Sequence, residues 1–337
     1  MSARGAGWKS VTDRSVRGCA RRRAPGCEDD RVAADDTTGG DDTTAGDTAT
    51  DVFEEHRGFL LGVAYRMLGR VADAEDVVQE SWLRWSAADR ENVREPRAYL
   101  ARVTTRLAVD RLRQVQSRRE TYVGPWLPEP LITDLHDEPV PDSAERVVLA
   151  ESVSFAVLVV LESLSPLERA VFVLREAFGF PFAEIAATLE RSEAAVRQLA
   201  GRARKHVEER RPRFEVDPAQ QRDLTERFLA AAVAGDLEGL LAVLAPDVRL
   251  VGDSGGKAKA PLRVIESAGK VGRFVAAVGQ EEIPDAAFTY VEINGTVGLL
   301  VTSGGRPHSA ILLDVADGRV QSVYLLANPD KLALLAP

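Results

Sequence analysis

Apolar residues recur at helical spacing in the first well-patterned stretch of the chain, residues 52–117. The pattern predicts three helices there, because apolar positions three and four residues apart lie on one face of a helix. Asp73 is the predicted N-cap of the second helix. The third begins at Pro96, a residue suited to the first turn, and its apolar stripe is Leu100, Val103 and Leu107. This stretch is therefore predicted to be an all-helical module.

A second helical stretch covers residues 151–213. Its last two predicted helices are Phe182–Leu189 and Glu193–Val207, separated by only three residues. Both have an apolar face, and Ser192 is the predicted N-cap of the second helix. Two short amphipathic helices joined by a tight turn are typical of a helix-turn-helix, although a simple helical hairpin has the same pattern.

The segments outside the helical modules have a different composition. Residues 1–51 are mostly Asp, Thr, Gly, Ala and Arg, which predicts a disordered leader. Residues 118–150 carry five prolines and predict a linker without a long helix. Within that linker, Trp126 and Leu127 are too apolar for a solvated spacer, so we expect them to contact another part of the protein.

From Asp217 the pattern changes to helices followed by strands. The alternation over Ala287–Ile293, Thr296–Thr302, Ser309–Val315 and Val320–Leu326 predicts four strands, and Asp317-Gly318 predicts a tight hairpin between the last two. Residues 217–335 are thus predicted to form an α+β domain with helices first and a curved antiparallel sheet after.

Composition and charge narrow the possible functions. The chain has 337 residues and a net charge of −9, so nonspecific coating of nucleic acid is not expected. Its two cysteines, both in the leader, fit a reducing cytoplasm, and its four histidines show no metal-ligand spacing. We expect a cytoplasmic protein with no metal, no other cofactor and no membrane contact, since no apolar stretch approaches the roughly 18 residues that span a bilayer.

Positive charge is nevertheless concentrated on two predicted helices. Residues 94–119 hold eight arginines against two acidic residues, and Arg102, Arg106 and Arg113 fall within a sector of about 40°. The last helix of the second module presents Arg197, Gln198, Arg202 and Lys205. Arg and Gln side chains can read base edges in the major groove. Two basic helices in separate modules favour a long anionic polymer, so DNA contacts are predicted at these residues and at Ser192.

The second predicted helix of the first module combines acidic and aromatic residues. We expect it to bind a partner protein with a basic, apolar groove. The residues predicted to make this contact are Asp73, Asp76, Gln79, Trp82 and Leu83.

These motifs together resemble one known family. The segments 73–85 (DAEDVVQESWLRW) and 96–113 (PRAYLARVTTRLAVDRLR) resemble region 2 of the extracytoplasmic-function (ECF) RNA polymerase sigma factors, and 182–207 resembles their region 4. The segments 122–130, 253–257 (DSGGK) and 328–332 (NPDKL) resemble the sigma-J-like subgroup, which carries a fused SnoaL-like domain. Ser254 stands where that subgroup usually has Gly, and Arg106 where many family members have Asn.

The resemblance implies an all-α region 2 and an all-α region 4 followed by an α+β SnoaL-like cone of the nuclear-transport-factor-2 fold. It implies a sigma factor whose acidic-aromatic helix binds core RNA polymerase. The basic helix would face the minus-ten promoter element, and the helix-turn-helix would read the minus-thirty-five element. The cone is expected to fold back on the linker and on region 2, and to regulate the protein. The residues expected to make those contacts are Trp126, Leu127, Asp253, Lys257, Asn328, Asp330 and Lys331.

Two alternatives stay open at this point. SnoaL-like folds also serve as cyclases and isomerases, so the C-terminal domain could bind a small molecule or catalyse a reaction with Asp253, Tyr290 or His308, although no convincing acid–base pair is visible. A plain helix-turn-helix repressor would leave the Trp82 face and the second basic helix unexplained. We expect a protein that is not itself an enzyme.

Overall fold

The computed structural model describes residues 43–119, 122–134, 154–210 and 217–335. The predicted leader up to residue 42, residues 135–150 of the predicted linker and residues 211–213 lie outside these ranges. Among the residues that are described, no helix is both long enough and apolar enough to cross a membrane.

The first helical module contains three helices, α1 (Thr43–Leu68), α2 (Val71–Ser86) and α3 (Pro96–Arg119). Gly69, with φ +68°, ends α1 in a left-handed conformation that glycine adopts without strain. A 3₁₀ turn (Arg90–Asn92) precedes α3. The three helices bury a common core that includes Leu60, Val78 and Leu100.

Helix α1 begins earlier than the sequence predicts, because Thr43 to Asp51 belong to it rather than to a disordered leader. Ala49 is buried, and the indole Nε1 of Trp85 donates to the Ala49 carbonyl oxygen at 2.9 Å. The extension of α1 thus has a partner on α2, which composition alone does not reveal.

A short strand, β1 (Ile132–Asp134), follows the first half of the predicted linker. The second helical module then comprises α4 (Phe155–Leu161), α5 (Pro166–Phe172) with a π-helical continuation over Val173–Ala177, α6 (Phe182–Leu189) and α7 (Glu193–Arg210). Ser165 and Glu168 form a reciprocal capping box at the start of α5. Buried side chains of both helical modules belong to one continuous core.

The C-terminal domain begins with α8 (Pro218–Ala234) and α9 (Leu237–Val243). The strands are β2 (Leu244–Asp253), β3 (Ile265–Glu266), β4 (Ala286–Ile293), β5 (Thr296–Ser303), β6 (Arg306–Ala316) and β7 (Arg319–Leu326), with α10 (Ala268–Gly279) after β3 and α11 (Pro329–Leu332) after β7. A 3₁₀ turn (Ala333–Leu335) follows α11.

The strand order of the sheet is β1-β4-β5-β6-β7-β2-β3, and β2 runs parallel to β7 while the other neighbours are antiparallel. Register shifts within β2, β5 and β6 mark irregularities of the kind that bend a sheet. Asp317 and Gly318 both have positive φ, as a tight hairpin requires. The predicted α+β domain and its hairpin are confirmed. The prediction of an antiparallel sheet is wrong in one respect, because β2 pairs in parallel with β7. Strands β1 and β3 are additions that the sequence did not predict.

The two faces of the sheet have different partners. Leu299, Leu313 and Val323 pack with helices α8 to α10. On the other face, Leu312 and Leu326 belong to a separate cluster that includes Leu127 of the linker and Phe155 of α4. The outer face of the C-terminal sheet is therefore covered by the linker and by the second helical module.

Candidate functional site

A groove lies between α1 and α2, on the acidic-aromatic side of α2. Its volume is about 690 Å³, and its lining includes Phe53, Asp76, Gln79 and Trp82. The Phe53 and Trp82 rings pack edge to face with centroids 5.1 Å apart. Leu83, next to the groove residues in sequence, is 56% exposed. Four of the five residues predicted to bind a partner protein are therefore accessible on α2 or in this groove.

Asp73 is the exception and requires a correction. Helix α2 begins at Val71 with Arg70 in the N-cap position, so Asp73 lies inside the first turn and does not cap the helix. Its carboxylate is buried and accepts hydrogen bonds from Arg111 of α3 at 3.0 and 2.7 Å. Arg70 lies 3.5 Å from the other carboxylate oxygen. Asp73 therefore joins α2 to α3 and is not part of the exposed face.

The basic face of α3 is divided between solvent and the second helical module. Arg102 and Arg113 are exposed, and Arg113 pairs with Asp110 at 3.0 Å. Arg106 departs from the prediction that it faces outward with them, because its guanidinium donates to the Thr188 carbonyl oxygen at 2.7 Å. The end of α6 offers carbonyl oxygens with partial negative charge, which explains why an arginine binds there.

The same guanidinium also donates to the Ala187 carbonyl oxygen at 3.2 Å and pairs with Glu190 at 3.0 Å. Glu190 has φ +53° and ends α6 in a left-handed conformation. Glycine is the usual residue in this conformation, but here the position is a glutamate. In this structure Arg106 therefore adds polar contacts between the two helical modules, beside the apolar core that they share.

Helix α7 presents the predicted base-reading residues to solvent. The Ser192 hydroxyl accepts from the Ala195 N–H at 3.2 Å, so the predicted cap is present. Arg197, Gln198, Arg202 and Lys205 are all exposed. The three basic side chains pair with carboxylates that differ in exposure, because Glu193 and Glu209 are accessible whereas Glu168 is mostly buried. The accessible pairs exchange readily with a charged ligand. The three pairs are Arg197 with Glu193, Arg202 with Glu168 and Lys205 with Glu209.

The pair between Arg202 and Glu168 connects α7 to the capping box of α5. Partial burial alone would raise the pKa of Glu168. The hydrogen bonds from Ser165 and Arg202 outweigh that effect and hold the pKa of Glu168 below its ordinary value. Glu168 therefore stays ionised and keeps both partners at neutral pH.

The linker is held against the C-terminal domain by a cluster that we call the linker clasp: Tyr122, Trp126, Leu127, Asp253 and Lys331. Asp253 is fully buried and accepts from the Leu127 N–H at 2.8 Å and from Lys331 Nζ at 2.6 Å. Lys331 also donates to the Leu127 carbonyl oxygen. Its ammonium lies 3.3 Å from the Trp126 ring centroid and 5.4 Å from that of Tyr122.

Tyr122 completes the linker clasp through its hydroxyl, which donates to Asp253 and accepts from Asn328 Nδ2 at 2.8 Å. Burial, and next the hydrogen bond to Asp253, raise the pKa of the Tyr122 phenol, so it remains a donor. Asp253 and Lys257 lie in one loop but do not pair with each other. Lys257 pairs at the surface with Asp330, while the buried partner of Asp253 is Lys331.

The glycines of the loop after β2 allow a close approach to the linker. Gly255 and Gly256 have positive φ, and a Cβ on Gly255 would lie 2.6 Å from Asn328 Nδ2 and 3.1 Å from the Tyr122 hydroxyl. Ser254 does not have a positive φ, and its hydroxyl accepts from the Gly256 N–H at 3.3 Å. A serine at this position is therefore compatible with the loop.

Sequence reasoning missed two buried polar groups that join the parts of the chain. Arg169 of α5 is 1% exposed, donates to the Arg66 carbonyl oxygen at 2.9 Å and pairs with Glu162 at 2.9 Å. Glu129 of the linker is 3% exposed and binds the start of α2. The only local signal for Glu129 is its position between two prolines, in a segment otherwise too apolar for a spacer.

The candidate catalytic residues do not form a site. Asp253 is at the end of β2 and Tyr290 is on β4, four strand positions away, which corresponds to about 19 Å at the usual strand spacing. His308 is exposed on β6, two strands from either. Burial raises the pKa of Tyr290, and both oxygens of Asp253 are occupied by the linker clasp.

Comparison with known proteins defines the class. The Sigma-70 region 2 profile matches residues 52–119, and the Sigma-70, region 4 profile matches residues 154–207. These are the first and second helical modules, so the chain carries the two conserved modules of a sigma factor. A helix-turn-helix repressor does not account for the first match.

The family follows from whole-chain relatives. The chain is 44% identical over 289 residues to the ECF RNA polymerase sigma factor SigJ of Mycobacterium tuberculosis, covering 83% of this chain and 91% of that protein. It is 32% identical to the probable ECF sigma factor SigI of the same species, covering 82% and 92%. The crystal structure of M. tuberculosis SigJ matches with a TM-score of 0.67 at 40% identity, covering 84% and 98%. This chain belongs to the ECF RNA polymerase sigma factors.

Proposed function

We propose that this protein binds core RNA polymerase through α2 and the α1–α2 groove, and directs transcription initiation at promoters in the cytoplasm. The groove combines a half-buried tryptophan with carboxylate and amide side chains, and the exposed Leu83 follows that tryptophan on α2. This combination suits a partner with a basic rim and an apolar centre. The family to which the chain belongs supports the same partner. The single observation that carries the proposal is this accessible groove on region 2.

DNA contacts are assigned to α3 and α7. Arg102 and Arg113 are exposed on the basic face of α3, which faces the minus-ten element. The exposed side chains of α7, Arg197 and Gln198 foremost, read the minus-thirty-five element from the major groove.

The closed arrangement of the structure has to open for this function. Elements centred about 25 base pairs apart are separated by roughly 85 Å of B-DNA, yet α3 and α6 are in direct contact through Arg106. Binding of polymerase and promoter therefore separates region 4 from region 2. DNA phosphates replace the α6 carbonyl oxygens as partners of the basic face.

The C-terminal domain acts as a regulator of this opening and not as an enzyme. Its outer sheet face holds the linker and α4, and its most buried carboxylate, Asp253, is committed to the linker clasp. Because the linker connects the two DNA-binding modules, the linker clasp limits how far they separate. This use of Asp253 argues against a cyclase or isomerase built on that residue.

In vitro transcription with purified core polymerase and a promoter library tests the proposal. We expect the full chain to convert core polymerase into an enzyme that starts at a defined set of promoters. Absence of any promoter-specific transcript, with core polymerase shown to be active with another sigma factor, would refute it.

A further inference from the structure

Glu129 of the linker is the centre of a polar junction on region 2. Its backbone N–H donates to the Gly69 carbonyl oxygen at 2.8 Å, and its carbonyl oxygen accepts from the Tyr65 hydroxyl at 2.7 Å. One carboxylate oxygen accepts from Arg70 Nε at 2.8 Å, and the other accepts from the Val71 N–H at 2.8 Å. Glu129 is thus bound through its backbone and through both side-chain oxygens.

Helix α2 lacks a cap of its own, and Glu129 supplies one. The N-cap residue Arg70 has extended dihedral angles (φ −135°, ψ 134°) and forms no side-chain cap hydrogen bond. The first N–H groups of a helix have no partner within the helix, and Ser, Thr, Asp or Asn at the N-cap usually accepts from one of them. Here the acceptor comes from 58 residues further along the chain. A carboxylate also suits the partial positive charge at this helix end.

The capped turn is connected to the polymerase-binding face. Asp73, in the first turn of α2, holds Arg111 of α3 at 2.7 Å. The same Arg111 guanidinium reaches Asp76, which lines the groove, at 3.4 Å. Order in the first turn of α2 therefore fixes the position of a carboxylate in the proposed interface.

The C-terminal domain holds the other side of this junction. Asn294, in the turn between β4 and β5, is 1% exposed and has φ +50°. Its side-chain oxygen accepts from the Leu131 N–H at 3.0 Å, and its side-chain nitrogen donates to the Tyr65 hydroxyl at 3.2 Å. The domain thus contacts both the linker residue two positions after Glu129 and the tyrosine that binds the Glu129 carbonyl oxygen.

We propose that Glu129 is a removable N-cap of α2, through which docking of the linker and the C-terminal domain on region 2 raises affinity for core polymerase. When the linker is bound, the first turn of α2 is ordered. When it leaves, the Val71 N–H loses its acceptor, Arg70 keeps only its pair with Asp73, and that turn frays. The inference rests on the proposed function, because it takes α2 as the polymerase-binding helix.

Hydrogen exchange and core binding of the full chain test this coupling. In Glu129→Ala we expect exchange at the Val71 amide to become about five- to ten-fold faster and core affinity to fall by about the same factor, as for loss of a helix cap. The matched control is Glu266→Ala, which removes an exposed carboxylate paired with Arg249 at the far edge of the sheet. The control leaves both measurements unchanged.

A rescue variant separates capping from a general loss of structure. Adding Arg70→Ser to Glu129→Ala places a hydroxyl at the N-cap position, where it accepts a hydrogen bond from the first turn without help from the linker. We expect core affinity within about two-fold of the original chain, although the carboxylate of residue 129 is still missing. Glu129→Gln retains an oxygen for the Val71 N–H and gives an intermediate effect, which keeps the test available if the alanine variant does not fold.

The outcomes distinguish this inference from the function on which it rests. If the unaltered chain binds core polymerase and Glu129→Ala binds it equally well with an unchanged Val71 exchange rate, the capping proposal is overturned. A loss of affinity that Arg70→Ser does not restore also overturns it. If the unaltered chain does not bind core polymerase, the proposed function itself fails.

Discussion

Replacing Lys331 by methionine tests the linker clasp most selectively. Methionine keeps a long, unbranched side chain and removes the ammonium that lies between Asp253 and the Trp126 ring. Lys331 and Asp253 are both almost completely buried, with side-chain exposures of 3% and 0%. The variant therefore leaves a carboxylate buried without its cation.

The expected cost follows from that burial. Removing one partner of a buried ion pair costs about 3–5 kcal/mol. Asp253 keeps hydrogen bonds from the Leu127 and Gly255 N–H groups at 2.8 and 3.2 Å, so we expect the lower end, about 3 kcal/mol. This corresponds to roughly a hundred-fold change in the equilibrium between closed and open linker clasp.

Amide hydrogen exchange at Leu127 measures this equilibrium directly, because its N–H is bound by Asp253 only when the linker clasp is closed. We expect Lys331→Met to lower the protection of this amide about a hundred-fold, and the double variant Asp253→Asn/Lys331→Met to recover part of the loss by removing the unpaired charge. Lys257→Met is the control, since Lys257 forms an exposed pair with Asp330, and pairs of that kind contribute about 0–1 kcal/mol. Equal protection in Lys331→Met and Lys257→Met would refute the reasoning.

Three further predictions concern the interfaces. Trp82→Ala should weaken core polymerase binding by about 2 kcal/mol, because a half-buried aromatic side chain in a groove is typical of a binding hot spot. Asp76→Ala should weaken binding less. Titration with core polymerase measures both effects, and unchanged affinity would contradict the assignment of this face. In holoenzyme, Arg197→Ala should reduce discrimination between bases at one promoter position by roughly 1–3 kcal/mol. Arg202→Ala should weaken binding to all promoters alike, and neither variant should change core binding. Unchanged promoter selectivity in both variants would show that α7 does not read the DNA sequence. Arg106→Ala should raise the open fraction of the free protein about five-fold. This corresponds to about 1 kcal/mol, a low value because the arginine is partly exposed to solvent. Distances between spin labels on the two modules measure the change, and unchanged distances would show that the contact is incidental.

The parts of the fold that depend on local sequence were predictable. The Asp317-Gly318 hairpin and the Ser192 cap are determined by residues within a few positions of one another, and both are present. The strands β4 to β7 follow from alternation that is strong enough to identify them one by one.

The side-chain partners that local sequence does not reveal are distant in the chain. Asp73 binds an arginine 38 residues away, Arg106 binds a carbonyl oxygen 82 residues away, and Lys257 pairs with a residue 73 positions away. Charge and spacing identify such residues as polar and exposed, but they do not say which distant element will lie beside them.

Glu129 illustrates the same limit at the junction of the three parts. A single glutamate between prolines gives no sign that it caps a helix 58 residues earlier in the chain. The missing signal lies in α2 itself, where Arg70 occupies the N-cap position without a side chain able to accept a hydrogen bond. A helix start without a capping residue is thus a reason to look for an acceptor elsewhere in the chain.

We propose that this sigma factor directs initiation while the linker clasp controls how its two DNA-binding modules engage the promoter. The most direct test compares transcription by holoenzyme reconstituted with the unaltered chain, with Lys331→Met and with Lys257→Met on the same promoter library. We predict the same transcripts from the unaltered chain and Lys257→Met, and altered promoter activity from Lys331→Met at equal core binding. Identical transcription from all three would contradict control by the linker clasp, and no promoter-specific transcription from the unaltered chain would contradict the assignment as a sigma factor.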